Sequence, residues 1–260
     1  MPPFLLPQRS LAGVLALVFA LPAVAMADPG VQRIAVYRGE AGCEGCSEAV
    51  QRAIERTHGR YSVDFVGPDE AIAVADVTPA QYAAYVQPGG GQNIPAAMDA
   101  LDDGQAEAIR RFFAGGGAFI GVCMGAYLAG TLYLGLIPAD LEGEAGRPGF
   151  AVSGEADAAV AVTWKGRQES VYFQDGPYLP RLGRDPGFLA LAQYANGDLA
   201  AARYGYGRGS AVLVGPHPEA PGHWFDEAGI ARSQMPRSDV FGDALDAALA
   251  PGSTHPRTSM

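Results

Sequence analysis

Cys123 stands where an apolar run gives way to a segment of helix-forming residues. The motif GVCMG (121–125) continues the apolar segment 118–122, and this strand–turn–helix order is that of a nucleophile elbow with a thiol as its nucleophile. Flanking glycines relieve crowding at such a turn, and the positive end of the helix favours a thiolate. The backbone N–H of Met124 is a candidate for half of an oxyanion hole. Cys123 is therefore a candidate nucleophile; the alternative is a small buried side chain.

A histidine and a glutamate follow the last apolar run of the chain. The motif GPHPE (215–219) comes directly after the segment 210–214. His217 and Glu219 are two residues apart, so an extended backbone points both side chains to the same face. A carboxylate beside an imidazole fixes its tautomer and supports its protonated form, as in catalytic triads. The alternative is an ordinary surface turn, because His-Pro-Glu is also typical turn chemistry.

Cys43 and Cys46 form a C-x-x-C motif between a predicted strand and a predicted helix. In an oxidising compartment such a pair most simply forms a local disulfide. The same motif at a helix N-terminus also suits thiol–disulfide exchange, and a zinc site shared with Cys123 is a third alternative. Loops that follow parallel strands meet at one edge of a sheet. We therefore expect this cysteine pair to border Cys123, shaping its pocket or regulating it by oxidation.

The segment YFQDGPY (172–178) places a carboxylate and aromatic rings at a turn after a predicted strand. We predict that Tyr172, Asp175 and Gly176 contact the substrate, with Asp175 binding a cationic or amide group. The alternative is a plain turn, because Asp-Gly-Pro favours turns. His223 and Trp224 follow closely and are further candidates for the same cleft, although Trp224 also suits packing at the sheet edge.

Composition excludes several classes of protein. The 260 residues are 48% hydrophobic and 18% charged, and the formal net charge is −10. The apolar content is too high for a disordered chain. The negative charge argues against binding to nucleic acid or to anionic lipid. We expect no cofactor and no metal, and no membrane contact once the leader is removed; the oligomeric state stays open.

The N-terminal residues 1–27 are predicted to be a signal peptide. Arg9 precedes an apolar run from Leu11 to Ala25, and small residues before position 28 suit a cleavage site after Ala27. The run is shorter than the roughly 20 residues that a membrane span needs, and an uncleaved anchor is the alternative. We expect a secreted or periplasmic protein with one domain over 28–250 and a flexible tail over 251–260.

Hydrophobic periodicity predicts alternating strands and helices in the first half and mostly strands in the second. This order indicates an α/β fold: a flavodoxin-like, doubly wound, mostly parallel sheet with extra strands. Ser47 is the predicted N-cap of the first helix, and residues 134–158 are predicted to form a surface excursion. The predicted strands are 33–37, 61–66, 82–87, 118–122, 159–164, 170–173, 189–194, 200–204 and 210–214, with a tight turn at Gly207 and Gly209, and the predicted helices are 47–56, 102–113, 124–133 and 238–249.

Together these motifs resemble the class I glutamine amidotransferase-like superfamily. More narrowly, the chain resembles the family named for the N-terminal domain of biotin-protein ligases. The resembling segments are VYRG (36–39), QPGGG (87–91), GGAFIGVCMGAYLAG (116–130), VYFQDGP (171–177) and GPHPE (215–219).

The resemblance implies a triad in which Cys123 attacks a carbonyl, His217 transfers the proton and Glu219 orients His217. It also implies that the N–H groups of Met124 and of Gly90 or Gly91 form the oxyanion hole, with Asn93 of the same glycine-rich loop near the substrate. The resemblance further implies a small-molecule or peptide amide as the partner. We expect no synthetase or ligase catalytic domain within this chain, so amide hydrolysis is favoured over glutamine-dependent transfer. The alternatives are a non-catalytic binding domain and a thiol redox protein using Cys43 and Cys46.

Overall fold

The computed structural model describes residues 30–57, 59–183, 185–206 and 208–250. The predicted signal peptide, the C-terminal tail and the glycine at 207 lie outside these residues. Within the described ranges, none of the helices has the length and apolar character needed to cross a bilayer.

One nine-stranded sheet in the order β2-β1-β3-β4-β11-β10-β9-β6-β7 forms the centre of the fold. Strands β2, β1, β3, β4 and β11 are parallel, and the strands beyond β11 pair antiparallel. The predicted doubly wound sheet with extra strands is therefore confirmed. The strands are β1 (Gln32–Tyr37), β2 (Tyr61–Val66), β3 (Ala84–Gln87), β4 (Ala118–Val122), β6 (Ala158–Trp164), β7 (Arg167–Phe173), β9 (Leu189–Tyr194), β10 (Leu199–Tyr206) and β11 (Gly209–Val214), while β5 (Glu142–Gly143) and β8 (Pro177–Tyr178) form a separate pair.

Helices cover both faces of the parallel strands, because alternate strand residues point to opposite sides and are apolar on both. Helices α1 and α6 pack on one face, where Ile54 and Leu245 belong to one buried cluster. Helix α3 packs on the other face, with Phe112 in the second cluster. The helices are α1 (Cys46–Glu55), α2 (Ile94–Ala100), α3 (Asp102–Ala114), α4 (Met124–Tyr127), α5 (Gly222–Glu227) and α6 (Val240–Leu249), with 3₁₀ turns at Val74–Asp76 and Arg232–Gln234.

The predicted N-cap of the first helix is wrong. Helix α1 begins at Cys46, one residue earlier than predicted, after Gly45 in a left-handed conformation with φ 76°. Ser47 is buried inside the helix, and its hydroxyl donates to the carbonyl oxygen of Tyr37 at 2.7 Å. The side chain thus bonds the end of β1 rather than an orphan N–H of the helix.

Two other expectations about the elements also need correction. Helix α4 ends at Tyr127 and is followed by turns, whereas the apolar composition predicted a helix to residue 133. Residues 134–158 are not only a surface excursion: Glu144 is fully buried, and the Phe150 ring lies 5.0 Å from that of Phe173. Sequence reasoning missed α2, α5 and the β5–β8 pair, which are all short.

Candidate active site

Cys123 forms the corner between β4 and α4 with φ 50° and ψ −112°, a conformation that side chains rarely adopt. Its N–H donates to the carbonyl oxygen of Val214 at 2.8 Å, and its own carbonyl accepts from Ala126 at 2.9 Å. Only glycine fits at position 125, because a Cβ on Gly125 would lie 2.8 Å from the Gln87 carbonyl carbon. The backbone of β11 and the α4 turn thus hold this corner, and the Cys123 side chain is almost fully buried.

His217 and Glu219 lie in the loop that follows β11, at the same edge of the sheet. The Nδ1 atom of His217 is 2.8 Å from Oε1 of Glu219, and both side chains are buried. The backbone N–H of His217 donates to the carbonyl oxygen of Tyr172 at 2.7 Å, which fixes the loop against β7. The predicted projection of both side chains to one face is therefore present.

The charge balance around His217 favours its protonated form. Burial lowers the pKa of this imidazole, but the charges of Cys123 and Glu219 together outweigh burial and raise the pKa well above its usual value. His217 and Cys123 flank the same point, since a Cβ added to Gly89 would lie 2.6 Å from His217 Cε1 and 3.7 Å from Cys123 Cβ. This juxtaposition suits a thiolate–imidazolium pair, although the catalytic role of these residues stays a prediction.

A cavity of about 250 Å³ opens beside Cys123, and its walls include the predicted oxyanion-hole residues Gly90, Gly91 and Met124. Met124 is the first residue of α4, so its N–H has no acceptor within the helix. The Cys123 Sγ atom is 3.4 Å from the carbonyl oxygen of Gln174, which also lines the cavity. A carbonyl group bound in this cavity would lie near the Cys123 sulfur and the Met124 N–H.

The predicted substrate contacts divide into two groups. Asp175 lines the cavity beside Cys123, and Tyr172 lines the neighbouring cavity beside His217. Burial, followed by the charge of Glu155, raises the pKa of the Asp175 carboxyl. Asn93 and Gly176 do not line either cavity.

The structure gives those two residues local roles, and their contact with the substrate stays a prediction. The Asn93 side chain caps α2 by accepting a hydrogen bond from the Ala96 N–H at 3.1 Å, which is a common use of asparagine. Gly176 packs against the backbone of Gly215, and its carbonyl accepts from the Glu144 N–H at 3.0 Å.

Sequence reasoning assigned no site role to five residues that line this cavity, which are Gln92, Ile94, Tyr127, Gly143 and Gln174. The Tyr127 hydroxyl donates to the Asp175 carbonyl at 3.2 Å, and burial raises its pKa well above the usual value. Its position four residues after Cys123 on the following helix was an available signal, because such residues share a helix face. Gly143 belongs to β5, whose approach to this edge had no sequence signal.

The cysteine pair lies beside the cavity that His217 lines, and its proximity to Cys123 stays a prediction. Cys43 and Cys46 form a disulfide, and both line the cavity of about 270 Å³ that also includes His217 and Trp224. The Cys43 N–H donates to the Gly89 carbonyl at 2.9 Å. The described residues contain no group of three His, Cys, Asp or Glu side chains arranged to hold a metal ion.

The comparisons with known proteins agree with this architecture. Residues 32–137 match the family model described as biotin-protein ligase, N terminal. A search of curated proteins returned no match.

Two solved structures share the fold. That of PurLQS from Thermotoga maritima has a TM-score of 0.57 and 17% sequence identity, covering 83% of this chain and 98% of that one. That of a protein described as a putative GMP synthase subunit, from Thermoplasma acidophilum, has a TM-score of 0.51 and 14% identity, covering 84% and 94%. Both are class I glutamine amidotransferase-like, and this chain has that fold.

Proposed function

We propose that this protein, which has a class I glutamine amidotransferase-like fold and matches the biotin-protein ligase N-terminal family over residues 32–137, is a cysteine-dependent amide hydrolase. The observation that carries the proposal is the position of the buried His217 ring. One side of the ring is 2.8 Å from the Glu219 carboxylate, and the ring also adjoins Cys123. This is the order nucleophile, base and orienting carboxylate.

In the proposed first step, the Cys123 sulfur attacks the amide carbonyl carbon and forms a C–S bond. The negative charge on the oxygen is stabilised by the backbone N–H groups of Met124 and of Gly90 or Gly91. The C–N bond then breaks, and His217 donates its proton to the leaving nitrogen, so that an amine departs and a thioester stays on the enzyme.

In the second step, His217 accepts a proton from water as the water oxygen attacks the thioester carbonyl. The C–S bond breaks, a carboxylic acid leaves, and the thiolate and imidazolium are restored. Glu219 holds the ring in one tautomer throughout and stabilises its positive charge. No reactant other than water and the amide is needed.

A secreted or periplasmic location is part of the proposal. It is supported by the composition of residues 1–27 and by the Cys43–Cys46 disulfide, because disulfides persist in oxidising compartments. Expression with the native N-terminus, cell fractionation and N-terminal sequencing test this part. We expect a periplasmic or secreted protein that begins at Asp28, and a full-length protein in the cytoplasm would contradict it.

Thiol labelling tests the catalytic core. At pH 6 an ordinary thiol with a pKa of about 8.5 is almost entirely protonated and reacts slowly with iodoacetamide. We expect rapid labelling of Cys123, located by peptide mass spectrometry, and its loss in His217→Ala. His223→Ala is the matched control because His223 is exposed on α5. A screen of amide substrates then follows.

The two outcomes of labelling separate the hydrolase from its alternatives. A Cys123 that reacts slowly in the folded protein would contradict the hydrolase and favour a non-catalytic binding domain on the same fold. Preferential labelling of Cys43 after mild reduction, with Cys123 inert, would favour the redox alternative.

A further inference from the structure

The cavity on the His217 side of the cleft has the chemistry of a cation-binding pocket. Its aromatic walls are the Tyr172 and Trp224 rings, whose centroids lie 5.6 Å apart. Its rim carries the carboxylates of Asp157 and Glu227. Aromatic faces attract ammonium and guanidinium groups, and nearby carboxylates add a direct Coulomb attraction.

Three further observations support a positive ligand in this cavity. Glu44 adds a third carboxylate to its lining, against one cationic group, the protonated His217 ring, and among the described residues that line it none is Lys or Arg. Burial raises the pKa of the Tyr172 hydroxyl, a hydrogen bond to Asp157 raises it further, and the charges of Asp157 and Glu227 add to this, so these carboxylates lie close to the ring. The chain as a whole carries a formal charge of −10.

The position of the cavity relative to His217 identifies which half of an amide it would hold. Cys123 lines one cavity and His217 lines the other, and Gly90 and Gln174 line both. In the proposed hydrolysis, His217 donates its proton to the leaving nitrogen, so the amine half must lie on the His217 side. The acyl half then lies in the cavity beside Tyr127 and Asp175.

We infer, resting on the proposed hydrolase function, that the substrates are amides whose amine half ends in an ammonium or guanidinium group, bound beside the packed rings of Trp224 and Tyr172 and against the rim carboxylates Asp157 and Glu227. The pocket discriminates against anionic amine halves. The Cys43–Cys46 disulfide also lines this pocket.

The test measures binding to the Cys123→Ala protein, in which turnover is blocked, by tryptophan fluorescence and by calorimetry. Fluorescence reports this cavity, because of the two tryptophans Trp164 is fully buried and Trp224 lines the pocket. The probes are N-acetylagmatine, its neutral urea analogue N-acetyl-N′-carbamoylputrescine, and 4-guanidinobutanamide, which carries the cation on the acyl half.

We expect N-acetylagmatine to bind at least fivefold more tightly than either other probe. The double variant Asp157→Asn, Glu227→Gln should lower its affinity to that of the urea analogue. Glu107→Gln, on the exposed surface of α3, is the matched control and should leave the affinity unchanged. Rim charges contribute modestly in water, so the difference should shrink in 0.5 M salt.

Equal affinity for N-acetylagmatine and its urea analogue, or an unchanged affinity in the double variant, would overturn the inference. Tighter binding of 4-guanidinobutanamide would overturn the assignment to the amine half. Binding to Cys123→Ala does not depend on catalysis. An inert Cys123 in the labelling experiment would therefore refute the hydrolase even if the cation binds, and a reactive Cys123 with no cation preference would refute only the substrate class.

Discussion

The candidate active site depends on a few side chains whose charges act on one another at short range. Burial alone would keep His217 neutral, and the neighbouring Cys123 and Glu219 reverse that effect. The spacing of two residues between His217 and Glu219 was visible in the sequence, as was the thiol at the elbow. The second Glu219 oxygen, Oε2, is buried without a hydrogen-bond partner among the described residues, so this carboxylate interacts through one oxygen only.

Replacing Glu219 by Gln should slow the labelling of Cys123 at pH 6 by about tenfold, which corresponds to about 1.4 kcal/mol. The amide keeps an oxygen for the Nδ1 hydrogen bond but removes the charge that supports the protonated ring. Because the His217 pKa is raised, wild-type labelling should be nearly constant from pH 6 to 8, and the variant should gain a steep pH dependence. Glu55→Gln on exposed α1 is the control, and identical rates in all three proteins would contradict the prediction.

Glu144 is a second residue whose environment controls its charge. Its side chain is buried, and burial raises the pKa of the carboxyl to about 7. Asn196 donates to Oε1 at 2.7 Å and favours ionisation, as does Arg147, whereas Asp198 opposes it.

A raised carboxyl pKa means that the folded state holds this proton more tightly than the unfolded state does. Below about pH 4.5 the Glu144 carboxyl is protonated in both states and does not lower the free energy of unfolding. Above pH 7 its ionisation lowers the free energy of unfolding by about 3 kcal/mol. We expect Glu144→Gln to raise the free energy of unfolding at pH 8 and to change it little at pH 5, as measured by urea denaturation. A gain of equal size at both pH values would show that titration is not the cause.

The loops at the carboxyl edge of the parallel strands bring the site together. Residues after β3, β4 and β11 supply the glycine-rich wall, the thiol and the imidazole. The loop after β1 contributes the disulfide, and the turn after β7 contributes Gln174 and Asp175. The edge of a parallel sheet is where such loops converge.

Gly89→Ala should displace His217 without unfolding the protein. The added methyl would lie 2.6 Å from His217 Cε1, so the ring or the loop must move. We expect Cys123 labelling at pH 6 to fall at least tenfold with only a small change in Tm. Gly154→Ala is the same substitution with no atom within 4 Å of the new Cβ, and it should change neither quantity. Normal labelling in Gly89→Ala would mean that the ring position is not critical.

The Cys43–Cys46 disulfide should stabilise the loop that leads into α1. For so short a loop, chain-entropy arguments give about 2 kcal/mol. We expect the double variant Cys43→Ser, Cys46→Ser to lose about that much stability in urea denaturation, with Cys123 labelling within twofold of wild type. If Cys123 becomes inert in this variant, the disulfide controls the reactivity of the Cys123 thiol and not only the stability of the loop.

At the scale of the whole molecule, the sheet separates two apolar clusters, and helices cover each cluster. Helix α6 contacts β11, β4 and α1, so the last element described packs against the strands that carry the candidate nucleophile and base. The antiparallel strands β10, β9, β6 and β7 extend the sheet beyond β11, and β7 carries one ring of the aromatic pocket wall, Tyr172.

Leu245→Ala in α6 should therefore destabilise the whole domain. Leu245 is completely buried, and truncating such a leucine typically costs about 2–5 kcal/mol. Leu189→Ala is the matched control because Leu189 is 52% exposed on β9, so its loss should cost well under 1 kcal/mol. Chemical denaturation measures the free energy of unfolding of each variant. Equal losses in the two variants would contradict a core that α6 shares with the sheet.

The sequence by itself determined the fold class, most strands and the candidate residues Cys123, His217 and Glu219. Apolar periodicity and the glycine, proline and histidine motifs are local signals, and a two-residue spacing on an extended segment is sufficient to pair an imidazole with a carboxylate. The tertiary structure decided what local signals do not encode. It brought Gly143 to the cavity beside Cys123 and joined Trp224, Tyr172 and Asp157 in one pocket. These residues are far apart in sequence, and their contacts depend on how strands and loops pack, because the same residue types serve equally well as caps, core or pocket walls.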